Sequence, residues 1–308
     1  MPHVVALCGG VGGAKLAFGL AQVLPPEALT IIVNTGDDFE HLGLHISPDI
    51  DTVLYTLAGL SDPVRGWGLA GETWHFMDAL GRIGGAQWFL LGDRDLATHI
   101  ERTRRLRGAE SLSDVTAVLA RALGIAHAVV PMSDDSVRTI VGTATGEMEF
   151  QRYFVAERCA PEVTAMRFAG ADAARIAPGA AAALARADLG AVIICPSNPY
   201  LSIDPILAVP GMRAALAACT APVVAISPLV GGQAIKGPTA KLMLELGIKP
   251  GVAAIAAHYA GVAQRLVIDH ADADQAPAVG LPTLVAQTVM KNDADRIDLA
   301  RTVLEWAA

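Results

Sequence analysis

The segment GGVGGAK sets Gly9, Gly10, Gly12, Gly13 and Lys15 directly after an apolar run that begins at His3. Glycines at a strand end let backbone approach a ligand closely, and the N–H groups of the helix that follows attract phosphate. Lys15 adds a positive charge beside them. The spacing is not that of a Walker A loop, because Leu16 stands where Ser or Thr must follow the lysine. Nor is it a dinucleotide fingerprint, because Lys15 takes the last glycine position and Asn34 replaces the ribose-binding acid after the second strand. A phosphate cradle that includes Asn34 is the expected reading. A plain strand-to-helix turn is the alternative, and NAD is disfavoured.

Residues 34–52, NTGDDFEHLGLHISPDIDT, bring Asp37, Asp38, Glu40, Asp49 and Asp51 into one segment, and neither Lys nor Arg occurs between Lys15 and Arg65. Phosphate set against so many carboxylates is repelled unless a cation lies between them. Mg²⁺ held by one or two carboxylates and phosphate oxygens meets that need, with Asp37 and Asp51 as the expected ligands. Asp51 is also a candidate to accept a proton from an attacking hydroxyl. Asp and Asn favour turns and helix starts, so capping a helix over residues 52–60 is the alternative for Asp49 and Asp51. His41 and His45 have the i, i+4 spacing of a zinc pair, but Gly43 and Pro48 argue against a helix there.

Two further loops carry small polar or basic tips: Ser197 and Asn198 in PSNPY, and Gly231, Gly232 and Lys236 in VGGQAIK. Both follow apolar runs, as expected for one nucleotide-like ligand lying across several strand ends. Arg94 stands between Asp93 and Asp95, placed to be fixed by them and to point at an anion. Arg102, Arg104, Arg105 and Arg107 read as a solvated helix face. Trp67 and Trp74 are candidates to stack on an aromatic ligand, with core packing as the alternative.

The elements that must position these groups alternate. Candidate strands cover residues 3–8, 29–33, 87–91, 126–130, 191–195, 222–227 and 265–269, several without polar alternation, as in parallel strands covered on both faces. Helical patterns at 14–23, 96–107, 112–123 and 241–246 lie between them. The fold class is α/β: a Rossmann-like doubly wound, mostly parallel sheet with a helical cap insertion. Residues 139–145 and 148–155 flank Gly146-Glu147 as a hairpin added to that sheet. The chain reads as a single domain over 1–308, with 67–121 a mostly helical cap region.

Composition sets the outer limits. The 308 residues carry a formal net charge of −8, which disfavours nucleic acid and anionic membranes as partners. The N-terminus lacks a basic signal-peptide start, and prolines and glycines break the long uncharged stretch between Arg213 and Lys236, so no membrane span is expected. Cys8, Cys159, Cys195 and Cys219 form no CxxC pair and fit reduced thiols in a cytoplasmic protein.

Taken in order, GGVGGAKL, NTGDD, PDIDTVLY, RGWG, LGDRDLATHI, PMSDD, PSNPYLSIDPIL and SPLVGGQAIKGP resemble the 2-phospho-L-lactate transferase family, from Val5 to about Leu246. The resemblance implies a Rossmann-like homodimer that uses Mg²⁺ in coenzyme F-420 biosynthesis. The implied donor is the guanosine diphosphate ester of phospholactate or a related three-carbon acid such as phosphoenolpyruvate. The implied acceptor is the ribityl hydroxyl of the deazaflavin Fo, and GMP leaves. Asp37 and Asp51 match carboxylates of the metal and Fo site. Thr52, Met132 and Ser133 fall in matched segments and join the expected substrate-binding set, and Leu90 joins it at the strand end that borders Fo, where some relatives have a basic residue. A nucleotide-sugar-binding regulatory protein of related fold is the alternative from a different class.

Overall fold

The computed structural model describes residues 1–308 apart from Lys236. Seven runs become one sheet: β1 His3–Cys8, β2 Leu29–Val33, β3 Ala128–Pro131, β4 Leu189–Ile194, β5 Val223–Ile226, β6 Arg265–Asp269 and β7 Thr283–Ala286. The spatial order is β7-β6-β5-β4-β1-β2-β3, with every neighbouring pair parallel. This is the doubly wound order 3-2-1-4-5-6 extended by one strand, and the winding reverses between β1 and β4.

β1 explains why such sheets read as unbroken apolar runs. Val4, Ala6 and Cys8 enter one core with Ile31 and Val33, while Val5 and Leu7 enter the other with Ile32. Each face of the sheet buries alternate residues, so a polar side chain enters a strand only with a partner, as His3 and Thr30 do at 3.1 Å.

Helices α1 Gly10–Val23, α2 Pro48–Leu57, α3 His75–Arg82, α4 Asp95–Arg107 and α5 Leu112–Ala122 connect the N-terminal half. Leu112, Val115 and Leu119 of α5 belong to the same core as β1 and β2, so α5 flanks the sheet. By contrast, Met77 of α3, Leu91 and Leu96 join Phe39 and Ile46 in a separate small cluster. Phe39 and Ile46 come from a short antiparallel hairpin, Phe39–His41 with Leu44–Ile46.

Three expectations are corrected. Residues 87–91 are irregular: Trp88 and Phe89 pack against Phe39 and His41, so these two side chains are half-buried by aromatic contacts and not by a sheet, while Leu90 stays exposed. The Gly146-Glu147 hairpin, Arg138–Thr143 with Gly146–Glu149, does not join the main sheet. It pairs with Val163–Ala169 in its own three-stranded sheet. β7 was not anticipated; its four residues, TLVA, are only half-buried at three positions. Among the described residues no single helix is long and apolar enough to cross a membrane.

The C-terminal helix Asp293–Ala307 lies directly on α1. A Cβ at Gly19 would fall 2.0 Å from the Arg296 carbonyl oxygen. Replacing glycine in a helix gains about 0.5–1 kcal/mol of backbone entropy. Overpacking against a backbone atom costs about 1–3 kcal/mol and wins. Gly19→Ala should therefore lower the urea midpoint; an unchanged or raised midpoint would show that the two helices separate freely.

Candidate functional site

The carboxyl ends of β1, β2 and β4 meet around the glycine turn. Ser197, past β4, donates its hydroxyl to the Gly9 carbonyl at 2.9 Å and accepts the Gly9 N–H at 3.1 Å. A Cβ at Gly12 would lie 2.3 Å from the Pro196 carbonyl oxygen, so only glycine permits this approach. From the other side, Asp49 in the first turn of α2 accepts the Gly10 N–H at 2.7 Å. Asn34, at the end of β2, donates its amide to Asp49 at 2.9 Å and to Asp37 at 3.3 Å. Asp49 is thus a tie between three elements, where the sequence suggested a helix cap.

Asp37 and Asp49 are both buried, and one amide serves both. Burial, with repulsion from Asp49, lifts the Asp37 carboxyl well above the usual range. Burial pushes Asp49 up to about 6, against the pull of its Asn34 and Gly10 donors. Asp38 turns away: its Oδ2 takes the Ser47 hydroxyl at 2.9 Å and the His45 Nε2 at 3.0 Å. His45 is committed there, and His41 is packed among Phe39, Trp88 and Phe89, so the two do not form a zinc pair.

Asp51 belongs to a second network. Arg102 grips both of its oxygens, through Nη2 and, at 3.1 Å, through Nη1. Arg102 is 0% exposed, which corrects its assignment to a solvated helix face; Arg104 and Arg105 do lie outside, on Glu101. Burial works against the guanidinium charge, but Asp51 overcomes it and holds Arg102 above its usual range. His99 and Asp95, one turn apart on α4, approach at 3.3 Å, and the Tyr55 hydroxyl donates to Asp95 and lies 2.9 Å from the Thr98 hydroxyl.

These groups face one cavity of about 940 Å³. Of the expected residues, Gly9, Gly10, Gly12, Lys15, Asp37, Asp51, Thr52, Leu90, Ser197 and Asn198 line it. Asn198 spends its carbonyl oxygen on the Tyr200 and Leu201 N–H groups, and its buried Nδ2 has no hydrogen-bond partner among the described residues. Lys15 donates to the Met290 carbonyl at 2.7 Å on the cavity wall. Trp67 lines the cavity with Arg65, whose guanidinium lies 5.2 Å from the Trp67 ring and 5.0 Å from that of Trp74.

Other expected residues stand elsewhere, each for a local reason. Asn34 and Gly13 lie behind the wall; Asn34 orients the acids, and a Cβ at Gly13 would meet the Ser197 hydroxyl at 2.4 Å. Arg94 is held by the Ala70 carbonyl at 2.9 Å, while Asp93 receives the first N–H groups of α3. Arg94 therefore does not point at an anion in the cavity. Met132 is core, and Ser133 donates to the Arg175 carbonyl at 2.7 Å. The Gly231 and Gly232 N–H groups are taken by buried Asp272 at 2.9 and 3.2 Å, so that loop is anchored inward. Lys236 lies outside the described residues.

Sequence reasoning missed Tyr55, Asp95, His99 and Arg102 as a set. The i, i+4 spacing of Asp95 and His99 in GDRDLATH was the available signal. It also missed the strap between the second and third strands of the small sheet, from which Phe150, Phe154 and Arg158 line the cavity.

With this geometry in place, comparison with known proteins is informative. Residues 4–300 match the family model described as 2-phospho-L-lactate transferase CofD. The chain is 40% identical over 315 residues to a phosphoenolpyruvate transferase of Kitasatospora aureofaciens, covering 99% of this chain and 98% of that one. It is 37% identical over 305 residues to a 2-phospho-L-lactate transferase of Methanosarcina mazei, covering 98% and 99%. In fold it resembles a solved UPF0052-family protein of Bacillus halodurans, with a TM-score of 0.64 and 15% identity over 98% of each chain.

The raised carboxyls make a pH prediction. A carboxyl that holds its proton more tightly folded than unfolded makes the folded state take up more protons between the two pKa values. Stability conferred by that proton is complete near pH 4 and lost as pH rises toward and past about 6. In metal-free buffer, Asp49→Asn should therefore lose less stability than wild type between pH 4 and 7. Parallel melting-temperature profiles would show that Asp49 is not strained by its charge.

Proposed function

The chain belongs to the 2-phospho-L-lactate transferase CofD family and is a transferase; from that premise we propose a specific reaction for it. The hydroxyl oxygen of the Fo ribityl chain attacks the phosphorus that carries a three-carbon acid in a guanosine diphosphate ester. The new O–P bond forms as the bridging P–O bond to GMP breaks, and GMP leaves with that bond's electrons. The observation that carries this reading is that a glycine turn and the carboxylates Asp37 and Asp51 line one cavity at the sheet's switch point.

Each wall of the cavity has its part. The turn at Gly9–Gly12 lets phosphate oxygens approach backbone closely, and Lys15 brings positive charge to the same wall. Asp51 accepts the hydroxyl proton, and Arg102 fixes the carboxylate's orientation for that transfer. Asn198 offers a buried amide N–H toward the ligand. Leu90, 45% exposed, and Trp67, 43% exposed, give apolar surface to the deazaflavin ring.

Asp37 and Asp51 are the residues that would hold Mg²⁺. The donor set suits it: the only protein donor to the Asp37 carboxylate among the described residues is Asn34, at 3.3 Å, and burial makes its bare charge costly. Among the described residues no three His, Cys, Asp or Glu side chains converge as a cage. That fits an ion that keeps its waters and takes one or two carboxylates. When bound, Mg²⁺ neutralises the diphosphate charge that these acids would otherwise repel. The family resemblance further supports a cytoplasmic homodimer as the working form.

Incubation with Fo, Mg²⁺ and each guanylylated acid should yield a deazaflavin heavier by the phosphoacid, identified by mass. Asp37→Asn should lower the rate by about two orders of magnitude, with EDTA acting likewise on wild type. Full turnover in EDTA, or no deazaflavin product from any donor, would overturn the reading.

A further inference from the structure

Arg158 closes a strap that runs from Phe150 through the π-helix Arg152–Ala156. Its backbone φ is +49°, and that of Cys159 is +56°, two successive non-glycine residues in the left-handed region. That conformation costs free energy and persists only where surrounding structure imposes it.

The imposing contacts are identifiable. Tyr153 is buried; its carbonyl accepts the Cys159 N–H at 2.9 Å and its hydroxyl donates to the Cys159 carbonyl at 3.4 Å. Lys241 donates to the Tyr153 hydroxyl at 3.1 Å and to the Pro161 carbonyl at 3.0 Å, and pairs with Glu245. Glu245 in turn accepts the Val163 N–H at 3.1 Å. One helix thus pins both ends of the strained turn.

The turn presents Arg158 at the cavity, where its guanidinium makes no hydrogen bond or ion pair with any described residue. Among the described residues, the other lysine and arginine on the wall are engaged: Lys15 with the Met290 carbonyl, and Arg65 with Asp62 and the Leu69 carbonyl. A planar fork of donors suits a carboxylate, which it can bind at two points. The strap links two strands of the small sheet, whereas the glycine turn and the acids allotted to the diphosphate follow strands of the main sheet.

Resting on the transferase reading above, we propose that Arg158 is the specificity residue for the carboxylate of the three-carbon acid. The strained turn exists to aim it. Titration calorimetry with Mg²⁺ would compare GDP, which lacks that carboxylate, with the guanylylated acid. Arg158→Gln should weaken the guanylylated acid about tenfold or more while leaving GDP within about twofold, and Arg158→Lys should restore part of the loss. Arg158→Gly should show the same selective loss together with a raised melting temperature, because glycine relieves the turn. Equal losses for GDP and the guanylylated acid would assign Arg158 to phosphate and overturn the proposal, as would unchanged affinity in all three variants. Wild type that binds neither molecule would instead remove the transferase reading beneath it.

Discussion

Asp49 holds the site together by accepting a hydrogen bond from each of its two neighbours. The Gly10 N–H reaches it from the turn after β1, and the Asn34 amide reaches it from the end of β2, while Asp49 itself sits in the first turn of α2. Three chain segments are locked at the point where the sheet reverses its winding. A carboxylate is the side chain that can do this, because it accepts from both donors while buried. The arrangement costs stability, since Asp37 must share the same amide in the same buried space. That cost is confined to the wall on which the ligand's charge will be met.

The Asp51–Arg102 pair follows a similar logic at greater depth. A buried ion pair is often matched in stability by well-packed apolar residues, so its presence here is not explained by folding alone. Arg102 fixes the direction of a carboxylate that lines the cavity, and His99, Asp95 and Tyr55 continue the polar chain along α4 and α2. Arg102 holds Asp51 in place, while Asp37, with one long contact, remains open to an outside partner.

Two kinds of wall face each other across the cavity. The main sheet contributes a rigid floor, because β1, β2 and β4 are buried on both faces and their loops are tied by Ser197, Asn34 and Asp49. The strap with Phe154 and Arg158 instead comes from the small sheet and is pinned by a single helix. Backbone strain lies in the strap, at Arg158 and Cys159, whereas the cost in the floor is the crowding of Asp37 and Asp49. This is the division expected when chemistry needs fixed donors and specificity needs one aimed side chain.

Much of this was legible in the sequence for a definite reason. β1, β2 and β6 were delimited to the residue, since unbroken β-branched runs have few other ways to be buried, and the glycine turn and the acid-rich segment followed from their places at strand ends. Local pattern failed where a residue's partner lies far along the chain. Residues 87–91 look like a strand until the aromatic hairpin at Phe39 is brought against them. Arg102 looks like solvated charge until α4 is laid on α2, 51 residues away in sequence, and Asp51 takes it in. Arg94, Ser133 and Gly231 have the right types at strand ends, yet nearby carbonyls or Asp272 claim them first. Sequence by itself determined the buried central strands and which loops carry charge, because those depend on short-range pattern and burial. Which carboxylate is tied, which is open and which arginine faces the cavity were decided only by tertiary packing, because each depends on a partner that sequence spacing does not disclose.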